Sequence, residues 1–188
     1  MEEGPMFHWT RYTSKELALV SIFSSLWVVS QLHLGTIIGA LTHVHGVANR
    51  IVGWMLMLLL ANMGGRFGMV TLMASVSALA TRAIRRSFSL YSLTVGLGYS
   101  LGGLVFDALY FGLGTHENLS VKRVILASTV SGLVASAPYA LFKLFSLGFF
   151  GFIAYVPSLA HSSVRGVIMS LMGSMVGLFV LPRVSGVS

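Results

Sequence analysis

Apolar segments long enough to cross a bilayer recur along almost the whole of this chain. Hydrophobic residues make up 55% of its 188 residues and charged residues only 9%, whereas soluble domains carry roughly 25% charged residues. A bilayer crossing needs about 20 mostly apolar residues, so the chain has room for about six crossings. The sequence therefore predicts an all-α membrane protein with six transmembrane helices in one compact bundle.

Hydropathy and turn residues divide the chain into six predicted spans, at residues 17–34, 51–63, 67–84, 90–113, 124–142 and 164–181. Residues 1–15 are polar, and we expect them to form a cytoplasmic N-terminal tail before a six-helix membrane domain at 16–184. The connections 35–47 and 144–163 are long but largely apolar, so we expect partly buried outer loops. Pro138 lacks a backbone donor and should kink the fifth span.

The charge balance is basic, at +7, but it does not orient the bundle. With the N-terminus in the cytoplasm, six of the twelve Lys and Arg residues fall on the outer side, namely Arg50, Arg82, Arg85, Arg86, Lys143 and Arg165. With six cations on each side, the positive-inside rule favours neither orientation. A basic membrane protein usually contacts anionic lipid headgroups, and nothing in the sequence indicates nucleic acid. We expect a multi-pass protein of the cytoplasmic membrane.

One carboxylate, Asp107, lies inside the fourth span. It is the only acidic residue between Glu16 and Glu117, and in a lipid-embedded chain it must face protein or water. We expect a structural role, in which Asp107 bonds a neighbouring helix. The partners considered for it are Ser21, Asn62 and Thr71.

Small residues recur at four-residue spacing in several spans, which allows helix backbones to approach closely. These stripes are Ser21 and Ser25; Gly98 and Gly102; Ser128, Gly132 and Ser136; and Gly166, Ser170 and Ser174. Most of them should lie at contacts inside the bundle. The stripe on the first span could equally receive another protein.

An intramembrane serine protease is one alternative. His45, Asn49, Ser100 and His161 appear in the order used by rhomboid-type proteases, in which a serine needs a nearby base and an oxyanion site. The family's compact G-x-S-G is absent, because Gly102 follows Ser100 by two residues. A packing role for Ser100 beside Gly98 is the simpler interpretation, so we predict no catalytic residue.

A transition-metal uptake subunit is a second alternative. His43 and His45 are two residues apart and His161 could join them, and three imidazoles suit zinc, nickel or copper. The chain has no cysteine, and no carboxylate is expected on that side. We therefore favour ordinary hydrogen bonding by these histidines and predict no bound metal.

The order of three segments resembles the substrate-binding S components of energy-coupling factor (ECF) transporters. The segments are ELALVSIFSSLWVV at 16–29, GRFGMVTLMASVSAL at 65–79 and YSLGGLVFDAL at 99–109. The similarity covers nearly the full length. It implies a six-helix protein that binds a vitamin or vitamin precursor with high affinity in the outer half of the bundle and is not an enzyme.

The resemblance also implies partners. An S component docks through its first helix on a transmembrane T component that is driven by two ATP-binding subunits, and Ala18, Ser21 and Ser25 would form that docking face. This chain has no phosphate-binding G-x-x-x-x-G-K-[ST] motif. Any ATP would therefore be hydrolysed by the partners, and we expect no cofactor on this chain.

The expected ligand pocket combines apolar and aromatic walls with a few polar groups on the outer side. The candidates are His43, His45, Asn49, Arg82, Tyr91, Tyr99, Tyr155, His161 and Arg165. Guanidinium groups match carboxylate or phosphate well, so the cluster of Arg82, Arg85 and Arg86 indicates a small anionic substrate, with contact to lipid headgroups as the alternative. The sequence does not name it.

Overall fold

A computed structural model describes residues 12–34, 37, 46–112 and 120–185, and all regular structure within them is helical. The helices are α1 (Ser14–Leu32), α2 (Val47–Gly64), α3 (Met69–Arg85), α4 (Leu90–Gly112), α5 (Val121–Val134) and α6 (Ala137–Ser185). By length and apolar composition, the stretches that could cross a membrane within these residues are Ser14–Leu32, Val47–Gly64, Leu90–Gly112 and Val121–Arg183. The all-α membrane class is confirmed, whereas the count of six spans is not.

The ends of α1 and α2 are fixed by local hydrogen bonding and by glycine. Thr13 and Glu16 cap α1 reciprocally, and Glu16 also accepts from Arg66 at 3.1 Å, which joins α1 to the turn after α2. That turn contains Gly65 and Gly68, with φ of 62° and 93°. Such left-handed geometry favours glycine, and it lets α2 and α3 follow each other closely.

Helix α4 lies at the centre, in contact with α2, α3, α5 and α6. A Cβ atom on Gly98 would overlap the carbonyl oxygen of Ala135, and one on Gly103 would lie 3.2 Å from the carbonyl oxygen of Val70. The glycines of α4 therefore bring its backbone against α3 on one side and against the α5–α6 junction on the other.

Asp107 joins α4 to the start of α3. Its side chain is fully buried, and its Oδ2 atom accepts hydrogen bonds from the Thr71 backbone N–H at 2.8 Å and from the Thr71 hydroxyl at 2.6 Å. Thr71 is in the first turn of α3, where backbone N–H groups have no partner within the helix. Of the three partners considered for Asp107, Thr71 makes these bonds.

The chain breaks before Pro138 instead of kinking at it. Helix α5 ends at Val134 and α6 begins at Ala137, so Pro138 lies in the first turn of α6, where a missing N–H costs no helical hydrogen bond. The expected kink within one continuous helix is corrected to a junction between two.

The connection expected at 144–163 is helical, so its assignment as a loop was wrong. Only Gly148 leaves helical geometry, with φ 67° and ψ 177°, a combination that is essentially restricted to glycine. The hydroxyls of Tyr139 and Tyr155 are 2.9 Å apart, although a straight helix would separate these residues by about 24 Å. The chain therefore folds back at Gly148, and we call residues 137–163 the α6 hairpin.

The tip of the α6 hairpin is apolar and exposed instead of partly buried. Phe145 and Phe150 are 84% and 85% exposed. The other expected outer loop, 35–47, lies for the most part outside the described residues.

Replacing Asp107 tests the α3–α4 connection. We expect Asp107→Ala to lower the free energy of unfolding by about 1–3 kcal/mol, because the buried Thr71 donors lose their acceptor. Asp107→Asn keeps one acceptor oxygen and should cost less. Ser100→Ala on the same helix is the control, since the Ser100 hydroxyl donates to the Gly96 carbonyl of its own helix. Denaturant titration in mixed micelles measures all three, and equal stability of Asp107→Ala and the control would contradict the prediction.

Replacing glycines of α4 tests the close backbone approach. Gly98→Ala should destabilise the fold by about 1–3 kcal/mol, because its methyl group meets a backbone oxygen that cannot move independently. Gly112→Ala is the matched control on the same helix, since a Cβ there meets nothing within 4 Å. Thermal unfolding monitored by circular dichroism compares the two, and similar melting temperatures would be inconsistent with this packing.

Candidate functional site

A partly open cavity of about 370 Å³ lies at the end of the bundle where α4 begins. Residues from α2, α4, the α5–α6 junction and both arms of the α6 hairpin surround it. The lining residues are Arg50, Tyr91, Val95, Tyr99, Ala135, Ser136, Tyr139, Tyr155, Ser158, Leu159, His161, Ser162, Ser163 and Arg165. Its volume lies within the range of small-molecule binding sites.

Aromatic side chains form one wall of this cavity and part of its support. The Tyr99 ring lies 5.4 Å from the ring of Trp27 and 6.2 Å from that of Trp54, measured between centroids. Trp54 is itself held by a 2.9 Å hydrogen bond from its indole N–H to the Ser131 hydroxyl. Tyr99 is therefore positioned by the core of the bundle.

The α6 hairpin supplies a second aromatic wall. Tyr139 packs edge-on against Tyr91 of α4 at 5.8 Å and shares the hydroxyl contact with Tyr155. The Lys143 ammonium lies 5.6 Å from the Tyr139 ring and 5.0 Å from the Tyr155 ring. These cation–π contacts join the two arms of the hairpin, so the reversal at Gly148 creates this wall.

Two guanidinium groups belong to the cavity. Arg50 lies 5.7 Å from the Trp54 ring centroid, and its guanidinium occupies the space where a side chain on Gly166 would be. Arg165 precedes this glycine and lines the same cavity, one helical turn after His161. Arg50 and Arg165 also line a smaller cavity of about 130 Å³, next to Gly46 and Val47 at the start of α2.

The charge of this end of the bundle is not balanced by described carboxylates. No Asp or Glu lines either cavity. Glu16 and Asp107, the acidic residues in the described part, lie at the opposite end, bonded to Arg66 and Thr71. Positive charge without a described carboxylate partner attracts anions.

Some of the pocket residues predicted from the sequence line the cavity, and others do not. The cavity brings together Tyr91, Tyr99, Tyr155, His161 and Arg165. Asn49 does not line it, and its backbone carbonyl accepts from the Trp27 indole at 3.3 Å. His43 and His45 lie outside the described residues.

Arg82 turns into the bundle and away from the cavity. Its side chain is buried, with Nε donating to the Ser92 carbonyl and a terminal nitrogen donating to the Ala78 carbonyl, both at 2.6 Å. Gly96 leaves room for its guanidinium. Arg82 therefore connects α3 to α4.

Arg85 and Arg86, the other members of the basic cluster, lie at the C-terminal end of α3. Arg85 donates to the Gln31 carbonyl at 2.5 Å, and Arg86 ends α3 in left-handed geometry with φ 49°. The basic cluster singled out in the sequence is thus distributed among helix contacts.

Sequence reasoning missed Arg50, Tyr139 and the cavity serines as site residues. Arg50 did carry a signal, since it is the one charged residue of the mostly apolar helix α2. The glycine after Arg165 was read only as a packing residue. The pairing of Arg50 with Gly166 joins residues far apart in the chain, and spacing alone does not reveal it.

The rival readings receive no support from the described geometry. Ser100 donates to the Gly96 carbonyl of its own helix at 3.3 Å and does not line the cavity that contains His161. Within the described ranges no three metal-ligating side chains cluster, and two of the histidines of the metal hypothesis lie outside those ranges.

No family model and no curated protein matches this chain. A solved structure described as "Crystal structure of an S-component of ECF transporter" is similar to it, with a TM-score of 0.61 over 94% of this chain and 87% of that chain, at 17% sequence identity. Likeness at this level of identity concerns the fold. The resemblance seen in the sequence is thereby confirmed in three dimensions: this chain has the fold of an ECF transporter S component.

Proposed function

We propose that this protein is the high-affinity binding subunit of an ATP-driven importer of a vitamin or vitamin precursor. The observation that carries the proposal is the cavity between α4 and the α6 hairpin, which has aromatic walls and two guanidinium groups on the fold of an S component. Such a combination of apolar surface and a few convergent polar groups is typical of ligand sites. In the cytoplasmic membrane, this end of the bundle would face outward.

Energy for transport would come from other subunits. The chain has no phosphate-binding loop motif, and the proposed partners are a transmembrane T component and two ATP-binding subunits. This chain would capture the ligand and present it to them, without enzymatic activity of its own.

The docking face proposed on α1 is supported by its exposure. Ala18, Ser21 and Ser25 all point away from the bundle, next to Ile22 at 56% and Leu26 at 53% exposed. The two serine hydroxyls donate to carbonyls of α1 itself, at 2.9 and 2.8 Å. The face therefore carries small side chains whose hydroxyls are already bonded within α1, which suits close helix packing.

The stripes on α5 and α6 differ from the α1 face. Ser128, Ser170 and Ser174 are buried, and the hydroxyls of Ser128 and Ser174 are 2.6 Å apart. These serines lie at the contact between α5 and α6, where Ser170 also packs against Gly132. The comparison favours α1 as the side that receives a partner.

Filling the cavity tests the binding function. We expect the purified protein to release a small molecule on denaturation, detected by mass spectrometry, and Ser158→Trp to reduce its retention at least about tenfold. Ser158 is exposed and lines the cavity, so the added ring occupies ligand space without entering the core. Ser146→Trp, an exposed hairpin position that does not line the cavity, is the matched control. Failure to find any retained molecule, together with no uptake by cells, would refute the function.

Enlarging the α1 face tests docking. The double variant Ser21→Leu and Ser25→Leu should lower co-purification of the T component at least about tenfold, because branched side chains prevent close helix approach. Ligand retention should not change. Ala108→Leu, at an exposed small residue of α4, is the control. Equal capture of the T component by both variants would exclude α1 as the docking helix.

A further inference from the structure

We propose that the cavity recognises a carboxylate or phosphate on a small ring-containing ligand, and that Arg50 and Arg165 bind this anionic group. The inference rests on the proposed binding function and specifies the class of its ligand. The two guanidinium groups line both the larger cavity and the smaller one beside the start of α2. The anionic group would lie beside the residues that line both cavities, Arg50, Ser162 and Arg165.

Arg50 is held in place before any ligand arrives. Its guanidinium lies over the Trp54 ring and against the bare backbone of Gly166, so a side chain at 166 would displace it. Trp54 is fixed by Ser131. A guanidinium that is already oriented loses less conformational entropy on binding, and it can donate two parallel hydrogen bonds to one anion.

Arg165 and His161 add positive and hydrogen-bonding character on one face of α6. They are four residues apart and both line the larger cavity, as expected for neighbours on a helix surface. Serines 162 and 163 offer hydroxyl donors in the same lining. Arg165 is exposed, so it remains accessible to a ligand.

The start of α2 contributes a partial positive charge to the same place. Gly46 caps α2 without a side-chain hydrogen bond and lines the smaller cavity with Val47. The free N–H groups of a first helical turn favour a nearby anion. The helix start and the two guanidinium groups therefore both favour an anion at this place, where no described carboxylate lines either cavity.

The aromatic walls indicate the remainder of the ligand. Tyr91, Tyr99, Tyr139 and Tyr155 surround a space of about 370 Å³, and tyrosine rings pack well against planar rings. A single or fused ring that carries one acidic group fits both the walls and the cations. A lipid headgroup has the same anionic chemistry. Its flexible acyl chains, however, do not stack on tyrosine rings as a planar ring does, so we assign the site to a soluble ligand.

Matched probes test the inference on the full chain in phosphatidylcholine nanodiscs. Benzoate and phenyl phosphate supply a ring with an acidic group, and benzamide is the neutral counterpart of benzoate. We expect both anions to bind at least about tenfold more tightly than benzamide, since charge-assisted hydrogen bonds contribute that much. Tryptophan fluorescence is a suitable readout, because Trp54 contacts Arg50.

Arginine variants locate the effect. Arg165→Gln and Arg50→Gln should each weaken phenyl phosphate binding at least about tenfold, whereas Arg86→Gln, an exposed arginine outside the cavity lining, should change it less than about twofold. If Arg50→Gln does not fold, Arg165→Gln decides alone. Equal binding of benzoate and benzamide, or an equal loss in Arg86→Gln, would overturn the assignment.

Two further experiments distinguish a lipid phosphate from a soluble anion, and a failure of the anionic class from a failure of the binding function. Loss of probe binding in nanodiscs that contain phosphatidylglycerol, at a salt concentration that screens their surface charge, would show that a lipid phosphate occupies the site, against our assignment. A neutral or cationic molecule that co-purifies with the protein would overturn the anionic class but leave the binding function intact. Probe binding by a protein that neither retains nor imports any molecule would support the anion site and refute the function.

Discussion

The arrangement of this bundle depends on the close approach of the α4 backbone to its neighbours. A Cβ at Gly98 would overlap the Ala135 carbonyl, and one at Gly102 would be 3.3 Å from the Ser131 carbonyl. No larger residue allows helices this close without displacing backbone. The approach on this side brings Tyr99 to the cavity, and the one at Gly103 places Asp107 over the first turn of α3.

The second organising feature is the separation of charge along the bundle. The described carboxylates lie at the end of the bundle opposite the cavity, where Glu16 bonds Arg66 and Asp107 bonds Thr71. At the other end, Arg82 donates to two backbone carbonyls among the described residues, and Arg50 and Arg165 line the cavity. A cation in a membrane protein is costly unless it finds a partner or water. The proposed anion site lies at this end, where no described carboxylate lines the cavity.

The stripes of small residues show what sequence spacing leaves open. The stripe on α1 and those on α5 and α6 have the same period and similar composition. Only burial distinguishes them, because Ser21 and Ser25 face outward while Ser128 and Ser174 bond each other inside. Small residues are compatible with both an outward-facing and a buried position in a membrane helix. Which of the two a stripe occupies depends on the helix that packs against it.

The sequence by itself determined the class of the protein, most helix positions and five of the cavity residues. Apolar length and composition fix the class and the helix positions locally, because each helix satisfies its own backbone in a membrane, whereas the cavity residues were found among the polar groups expected on the outer side. It also identified Asp107 as a buried bonding group. The tertiary structure decided the reversal at Gly148, the inward turn of Arg82 and the place of Arg50 against Gly166. Each of these depends on contacts between residues distant in the chain, which hydropathy and spacing do not encode.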